Sequence, residues 1–347
     1  MPEGETAAGV KALDREGLEL LLAELGEPRF RARQLEHWLY GRHARAFAEM
    51  SDLPAGLRET LADRLVLPTA RIVQRQHSAD GTRKYLLELA DGATIEAVGL
   101  PTADRLTVCF STQAGCAMGC AFCATGLGGL TRSLGPGEMV DQLLLVAEDF
   151  GARVTNAVAM GQGEPFADYD ATMGALRFMN ADEGPGIGAR HLTISTCGLI
   201  PGIRRLAEEP EQFTLAVSLH SAVQETRDRL MPGVRGMPIS RLREALIGYA
   251  ATTGRRPSLE YALIAGVNDT AEELAALVRF ARGMLVHVNL IPVNPVPETG
   301  LARSAPSRVS AFARELERVG IAATIRVERG ADIDAACGQL RQRHSGS

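Results

Sequence analysis

From residue 105 onward, short apolar runs alternate with helical stretches, and that alternation constrains the fold more than any other feature of the chain. The apolar runs are Leu106–Ser111, Val154–Met160, His191–Thr196, Thr214–Leu219, Ser258–Ile264 and Val286–Pro292. Helical stretches separate them, among them Glu138–Phe150, Ala171–Asn180, Ile239–Ala251, Ala271–Arg282 and Pro306–Val319. Short strands of this kind are buried on both faces, and strand–helix repetition sets them in parallel. Six units are too few to close an eight-stranded barrel. The expectation is an α/β fold built on an open, partial (β/α)6 barrel, with its ligands at the C-terminal ends of the strands.

The remaining segments read as attachments to that barrel. Residues 1–70 are expected as a helical accessory domain, 71–104 as a β-hairpin link, 105–297 as the barrel and 298–347 as a C-terminal extension. Leu18, Leu20, Leu21, Leu22 and Leu25 form an apolar stripe after Asp14, a plausible N-cap, and Phe30, Leu35, Trp38 and Leu39 suit a second helix face. Between Arg29 and Arg45 lie five arginines and one acid, Glu36. A solvated helix face and a patch that grips RNA phosphates are equally open readings of that run. Turn signals at Ala79-Asp-Gly81 and Ala90-Asp-Gly92 punctuate the link, and Glu96 falls on a strand where a carboxylate ordinarily just faces solvent.

Composition limits the classes of function. The chain is 46% hydrophobic and 23% charged, as globular proteins are, and no run of 18 apolar residues offers a membrane span. A net charge of −5 argues against a uniformly basic nucleic-acid binder while leaving room for a local basic face. Six cysteines among 347 residues are too sparse for a disulfide framework, and no secretory signal opens the chain. Composition agrees with a reducing, soluble setting, and a cytoplasmic location is expected.

Three of those cysteines are tightly grouped. Cys116, Cys120 and Cys123 stand with three and then two residues between them, and the next cysteine, Cys197, is 74 residues further on. Structural zinc sites usually pair two thiols on each of two knuckles, and no second CxxC pair exists here. A four-iron cube normally takes four thiolates. Three leave one iron open to a small molecule, the arrangement that reductive cleavage of S-adenosylmethionine (SAM) requires.

Polar groups recur just past the expected strands. The Cys loop follows the first strand and Gly161-Gln-Gly-Glu-Pro165 the second, where glycine permits close approach and Glu164 can meet an ammonium. Ser195-Thr-Cys-Gly198, Ser218-Leu-His220 and Asn294 follow later strands. Each would ordinarily be a cap or loop residue; their shared position makes them a joint site. Cys109 and Cys337 would each more often be small buried hydrophobes. The surroundings of Cys337 are not greasy, however, and a thiolate on a tail there could attack the methyl group of SAM.

Taken together these residues resemble the radical-SAM RNA adenosine methyltransferases, the RlmN/Cfr family, along nearly the whole chain. The matching stretches include Gly26–Tyr40, Val108–Gly126, Met160–Pro165, Leu215–His220, Asn289–Pro297 and Gly330–Leu340. The resemblance implies a [4Fe–4S] cluster on Cys116, Cys120 and Cys123, and two SAM molecules per turnover bound at Gly163, Glu164, Ser195, Ser218, Leu219, His220 and Asn294. It implies that Cys337 accepts a methyl group, that Cys109 later closes a disulfide with it, and that Glu96 is the proton acceptor. The implied product is adenosine methylated at carbon 2 in 23S ribosomal RNA, with transfer RNA as a second substrate. A donor such as flavodoxin or ferredoxin and a monomeric state are implied as well. Carbon-8 methylation and a non-catalytic metal-containing RNA-binding protein are the alternatives. Gln162 and Cys197 depart from the family's usual Met and Ser, which bears on fine substrate preference.

Overall fold

The computed structural model describes residues 8–10, 15–42, 44–67, 70–182 and 184–340; the N-cap expected at Asp14 lies outside them. The N-terminal unit holds three helices, α1 (Arg15–Glu24), α2 (Arg31–Glu36) and α3 (Ala55–Arg64). Leu18 and Leu22 of α1 and Leu57 and Leu61 of α3 face inward, while Leu20 turns out to solvent. The chain runs past α2 in a wider turn, His37–Gly41, that keeps Leu39 and Tyr40 in the core and seats Tyr40 against Phe178 of the barrel domain. Glu36, the single acid of the arginine run, is buried and accepts from Arg15 Nε at 3.1 Å.

Ten strands then form one sheet in strict sequence order: β1 (Ala70–His77), β2 (Arg83–Leu89), β3 (Thr94–Pro101), β4 (Leu106–Cys109), β5 (Asn156–Ala159), β6 (Leu192–Thr196), β7 (Thr214–Ser218), β8 (Ser258–Leu263), β9 (His287–Pro292) and β10 (Ala322–Ile325). Strands β4 to β10 pair in parallel and β1 to β4 antiparallel. The six expected strands are all present, so the partial barrel stands. Residues 71–104 are less a link than expected. They turn at Gly81 and Gly92, both left-handed, and extend the same sheet by three strands. The seventh parallel strand, β10, carries only a short, weakly apolar Ala-Ala-Thr-Ile run, and as the edge strand it is largely exposed.

Helices cover the sheet between strands: α4 (Ala124–Leu127), α5 (Pro136–Phe150), α6 (Tyr169–Asn180), α7 (Ile200–Glu208), α8 (Gln224–Leu230), α9 (Ile239–Thr253), α10 (Ala271–Ala281) and α11 (Pro306–Arg318). Their limits follow local chemistry. Pro136 starts α5 where its missing N–H costs nothing, Glu138 reaches back to the Gly135 amide at 2.9 Å, and left-handed Gly151 ends the helix. The apolar faces of the helices and the sheet join in one continuous core that also takes in the N-terminal unit. No helix among the described residues is long and apolar enough to cross a membrane.

Candidate active site

Past β4 a two-stranded ribbon, Gln113–Gly115 with Leu130–Ser133, carries the cysteine loop as its tip. Gly115 has φ +82°, and a Cβ there would lie 2.1 Å from the Gly129 carbonyl, so only glycine closes this ribbon. The loop is pinned from outside: Ala121 N donates to Leu230 O at 2.9 Å, and Gly233 N to Met118 O at 2.9 Å. Cys116, Cys120 and Cys123 all line one cavity of about 170 Å³. Burial raises the Cys116 and Cys120 thiols above their usual range, so holding them as thiolates calls for positive charge in the cavity. Among the described residues no three His, Cys, Asp or Glu groups converge closely enough to hold a single metal ion. A cube takes its thiolates at separate corners, and three thiols spread around one cavity fit that donor set.

The strand-end residues meet in the same cavity. Gly163, Glu164, Ser195, Ser218, His220 and Asn294 line it, whereas Leu219 does not: its side chain is fully buried in the core, and its backbone N–H donates to Glu260 O at 3.0 Å. Glu164 is buried with both oxygens engaged, Oε1 by Phe166 N at 3.0 Å and Oε2 by Cys197 N at 2.6 Å. Burial nevertheless raises its carboxyl above the ordinary range, and the amides of Cys197 and Phe166 offset part of this. A cationic ligand would be welcome beside it. His220 adopts φ +55° and accepts from Ala262 N through Nδ1 at 3.0 Å, which leaves Nε2–H for the cavity. Its pKa is pushed down to about 3, by burial first and the Arg227 charge second, so the ring is neutral at physiological pH.

The thiols outside the triplet are split between two spaces. Cys337 is exposed and lines both the larger cavity and a neighbouring one of about 140 Å³, while Cys109 is buried and lines only the second. All six cysteines are free thiols, so the Cys109–Cys337 disulfide implied by the resemblance is not a standing bond of this fold. The tail bearing Cys337 is tied to the site. Asn294 Nδ2 donates to Cys337 O at 3.1 Å, Ala124 N to Gly338 O at 2.7 Å and Thr125 Oγ1 to Leu340 O at 2.7 Å.

Glu96 lines neither cavity. It is buried, not solvent-facing, and its Oε1 stands 3.5 Å from Lys84 Nζ, which donates to Asp334 O of the tail at 3.3 Å. Strand alternation sets Glu96 on the same face as Val98 and Leu100, which do line the smaller cavity. Of the departures from the family pattern, Gln162 is buried behind the turn and faces neither cavity; its carbonyl accepts from Thr112 N at 2.8 Å. Cys197 does face the larger cavity. Its thiol donates to Met118 Sδ at 3.3 Å, and burial beside Glu164 raises it above its usual range.

Three residues of the site are not among those singled out from the sequence. Arg227 of α8 is almost fully buried and donates through Nη2 to Cys197 O at 2.6 Å and Ser218 O at 3.4 Å, tying two strand ends together. Glu260 of β8 and Arg326, just past β10, face the larger cavity from the far side. A charged residue inside an otherwise apolar strand such as Ser258–Leu263 was the available hint for Glu260. The arginine run at residues 29–45 is only partly available: Arg29 pairs with Glu19, Arg31 with Glu27 and Arg45 with Glu148. Of its aromatic rings, Phe30 is exposed and Trp38 is half-buried, its indole N–H donating to Asp52.

The chain is similar to known proteins along nearly its whole length. Residues 10–67 match the ribosomal RNA large subunit methyltransferase N-terminal domain, and residues 110–281 match the radical SAM superfamily. The chain is 49% identical to the probable dual-specificity RNA methyltransferase RlmN of Pelotomaculum thermopropionicum, covering 98% of this chain and 94% of that one. It is 47% identical to the protein of the same name from Staphylococcus aureus strain RF122, over 93% and 89%. The crystal structure of a radical SAM methyltransferase from Sphaerobacter thermophilus superposes with a TM-score of 0.92 at 47% identity, covering 96% of this chain and 99% of that one.

Proposed function

Because the chain belongs to the RlmN family of radical SAM RNA methyltransferases, we propose that it methylates carbon 2 of an adenosine in 23S ribosomal RNA, by way of a methyl group carried on Cys337. The observation that carries this reading is the position of Cys337, which opens onto the cavity of the three clustered thiols and onto that of Cys109. An adenine ring carbon is neither nucleophilic nor easily deprotonated. A bound [4Fe–4S] cluster and SAM would supply both the methyl group and the radical reactivity that such a carbon needs.

The protein's residues then hold, orient and accept. Cys116, Cys120 and Cys123 would hold the cluster, with Glu164 beside it to receive an ammonium. Neutral His220 offers an N–H donor, and the strand-end serines offer hydroxyls. Cys337 receives a methyl group on sulfur and later gives that carbon to the base, with a second SAM consumed in the transfer. Glu96 takes up the ring proton; Lys84, which touches both Glu96 and the tail, orients it. Cys109, on the far side of the same thiol, closes a transient disulfide with Cys337 as the methylated base departs.

The target base must leave its stack to enter, and the N-terminal helical unit, residues 1–70, is the handle that grips the RNA around it. Arg33 and Arg42, both exposed, are among its cations. The relatives' name includes dual specificity, which fits a second RNA substrate, and we assign that role to transfer RNA. We take carbon 2 over carbon 8 because the relatives carry the RlmN name. We assign the reducing electron to a small donor of the flavodoxin or ferredoxin kind, and the working form to a cytoplasmic monomer.

The test is digestion of methylated RNA and mass spectrometry against 2-methyl- and 8-methyladenosine standards, with 5′-deoxyadenosine measured in parallel. Only 8-methyladenosine would overturn carbon 2. A full cluster with RNA and reductant but no 5′-deoxyadenosine would leave an RNA-binding protein instead.

A further inference from the structure

Glu260 lies in mid-strand on β8 with its side chain turned into the larger cavity, 4% exposed. One carboxylate oxygen is satisfied: Oε1 accepts from Asn289 Nδ2 at 2.9 Å, and Asn289 Oδ1 accepts in turn from Thr324 Oγ1 at 2.6 Å. These contacts fix the carboxylate plane. The other oxygen, Oε2, has no hydrogen-bond partner. The guanidinium of Arg326 is 3.9 Å from it, which supplies opposite charge but no bond. A buried acceptor left unmatched is costly, more so on a charged group, and native structures rarely keep one without a use. A donor entering through the cavity would satisfy it.

The layout of the cavity says which donor. The thiols and Glu164 lie at the cluster end, where the amino-acid end of SAM belongs if it chelates the open iron. The nucleoside end must then run toward β7, β8 and β9. Glu260 stands in register with Ser218 on β7 and Asn289 on β9, whereas Asn294 and Cys337 lie beyond the strand ends. A nucleoside offers two kinds of donor there, ribose hydroxyls and the adenine amine. The amine sits next to a ring nitrogen lone pair, so a lone carboxylate oxygen would meet repulsion along with the proton. A hydroxyl brings no such conflict, and carboxylates pair with ribose hydroxyls in dinucleotide sites for this reason.

We propose that Glu260 is a cofactor-binding residue whose free carboxylate oxygen accepts a hydrogen bond from a ribose hydroxyl of SAM. The assignment rests on the reading that this cavity holds SAM, and it adds to the strand-end residues a carboxylate for recognition of the ribose.

Calorimetric titration of the cluster-loaded protein, without RNA, tests it. The probes are S-adenosylhomocysteine, its 2′-deoxy and 3′-deoxy analogues, and the inosine analogue that lacks the amine. In the wild type, one deoxy analogue is expected to bind about tenfold or more weakly than the parent. In E260A and E260Q, the parent should weaken by a similar factor, and that deoxy analogue should lose nothing further. The inosine analogue should show the same deficit in wild type and E260A. If both deoxy analogues bind the wild type as the parent does, the proposal is overturned, and this arm needs no variant to fold. If the deficit erased by E260A is that of the inosine analogue, the amine is the donor and the ribose assignment falls. No binding of the parent to wild type would sink the SAM reading along with it. Parent binding with deoxy deficits unchanged in variants of normal iron content would sink Glu260 alone.

Discussion

Asn294 holds Cys337 by its backbone: the side-chain amide of the first donates to the carbonyl of the second at 3.1 Å, while Arg303 Nη2 donates to Asn294 Oδ1 at 3.0 Å and fixes the amide's orientation. The residue that lines the cavity past β9 is thus also a clasp on the tail. Replacing it with alanine removes one of several ties, since Thr125 also donates to this segment and Gln339 of the segment donates to Pro295 O. A net loss of about 1 kcal/mol is expected from one such bond. In N294A, methyl loading of Cys337, followed by intact-protein mass, should slow about fivefold. An unchanged rate would mean that the clasp has no bearing on the thiol's placement.

The two outlying thiols should differ sharply toward an alkylating agent. Cys337 is exposed, whereas Cys109 is buried and its pKa is pushed up to about 12, by burial first and by the neighbouring Cys337 second. At pH 8 roughly one Cys109 in ten thousand is a thiolate. Iodoacetamide on the reduced, cluster-free protein should therefore mark Cys337 well before Cys109, as peptide mass spectrometry would show. Equal labelling would place the tail elsewhere than the structure has it.

His220 makes stability depend on acid. Its folded pKa of about 3 lies below the ordinary value of 6.5, so the unfolded chain binds a proton that the folded chain refuses between them. Stability from this group is intact above pH 6.5 and lost as pH falls toward 3. By pH 5 the loss amounts to about 2 kcal/mol. Urea midpoints at pH 7.5 and 5.0 should separate less in H220Q than in wild type; an identical acid sensitivity would contradict the buried neutral ring.

Arg227 brings a buried positive charge near the cluster loop, where it favours the Cys120 thiolate. Changing it to methionine should lower the cluster's reduction potential, on the order of tens of millivolts. It should also weaken SAM binding, because the Cys197 and Ser218 carbonyls lose their shared donor. Redox titration followed by electron paramagnetic resonance measures the first effect, and a potential that stays put or rises would exclude the electrostatic role.

Much of the site was legible because it is local. Cys116, Cys120 and Cys123 occupy one loop, and the Gly161–Pro165 turn and the Ser218–His220 segment each follow a strand whose apolar run marks where it ends. Strand β10 was not legible, since an exposed edge strand needs no apolar run. Glu96 shows the limit from the other side. Its sequence surroundings suggested a solvent-facing carboxylate, yet the tail and Lys84 cover it.

The amino-acid order alone determined the parallel sheet, its helices and the three-thiol loop, because hydrophobic periodicity and short-range spacing are properties of neighbouring residues. Only the tertiary structure decided that Glu260, Arg326, Cys109 and Cys337 share two adjoining cavities, and that Cys197 joins them while Gln162 does not. These groups are far apart along the chain. What unites them is the winding of one sheet and the path of the tail across its open edge, and no local pattern encodes that.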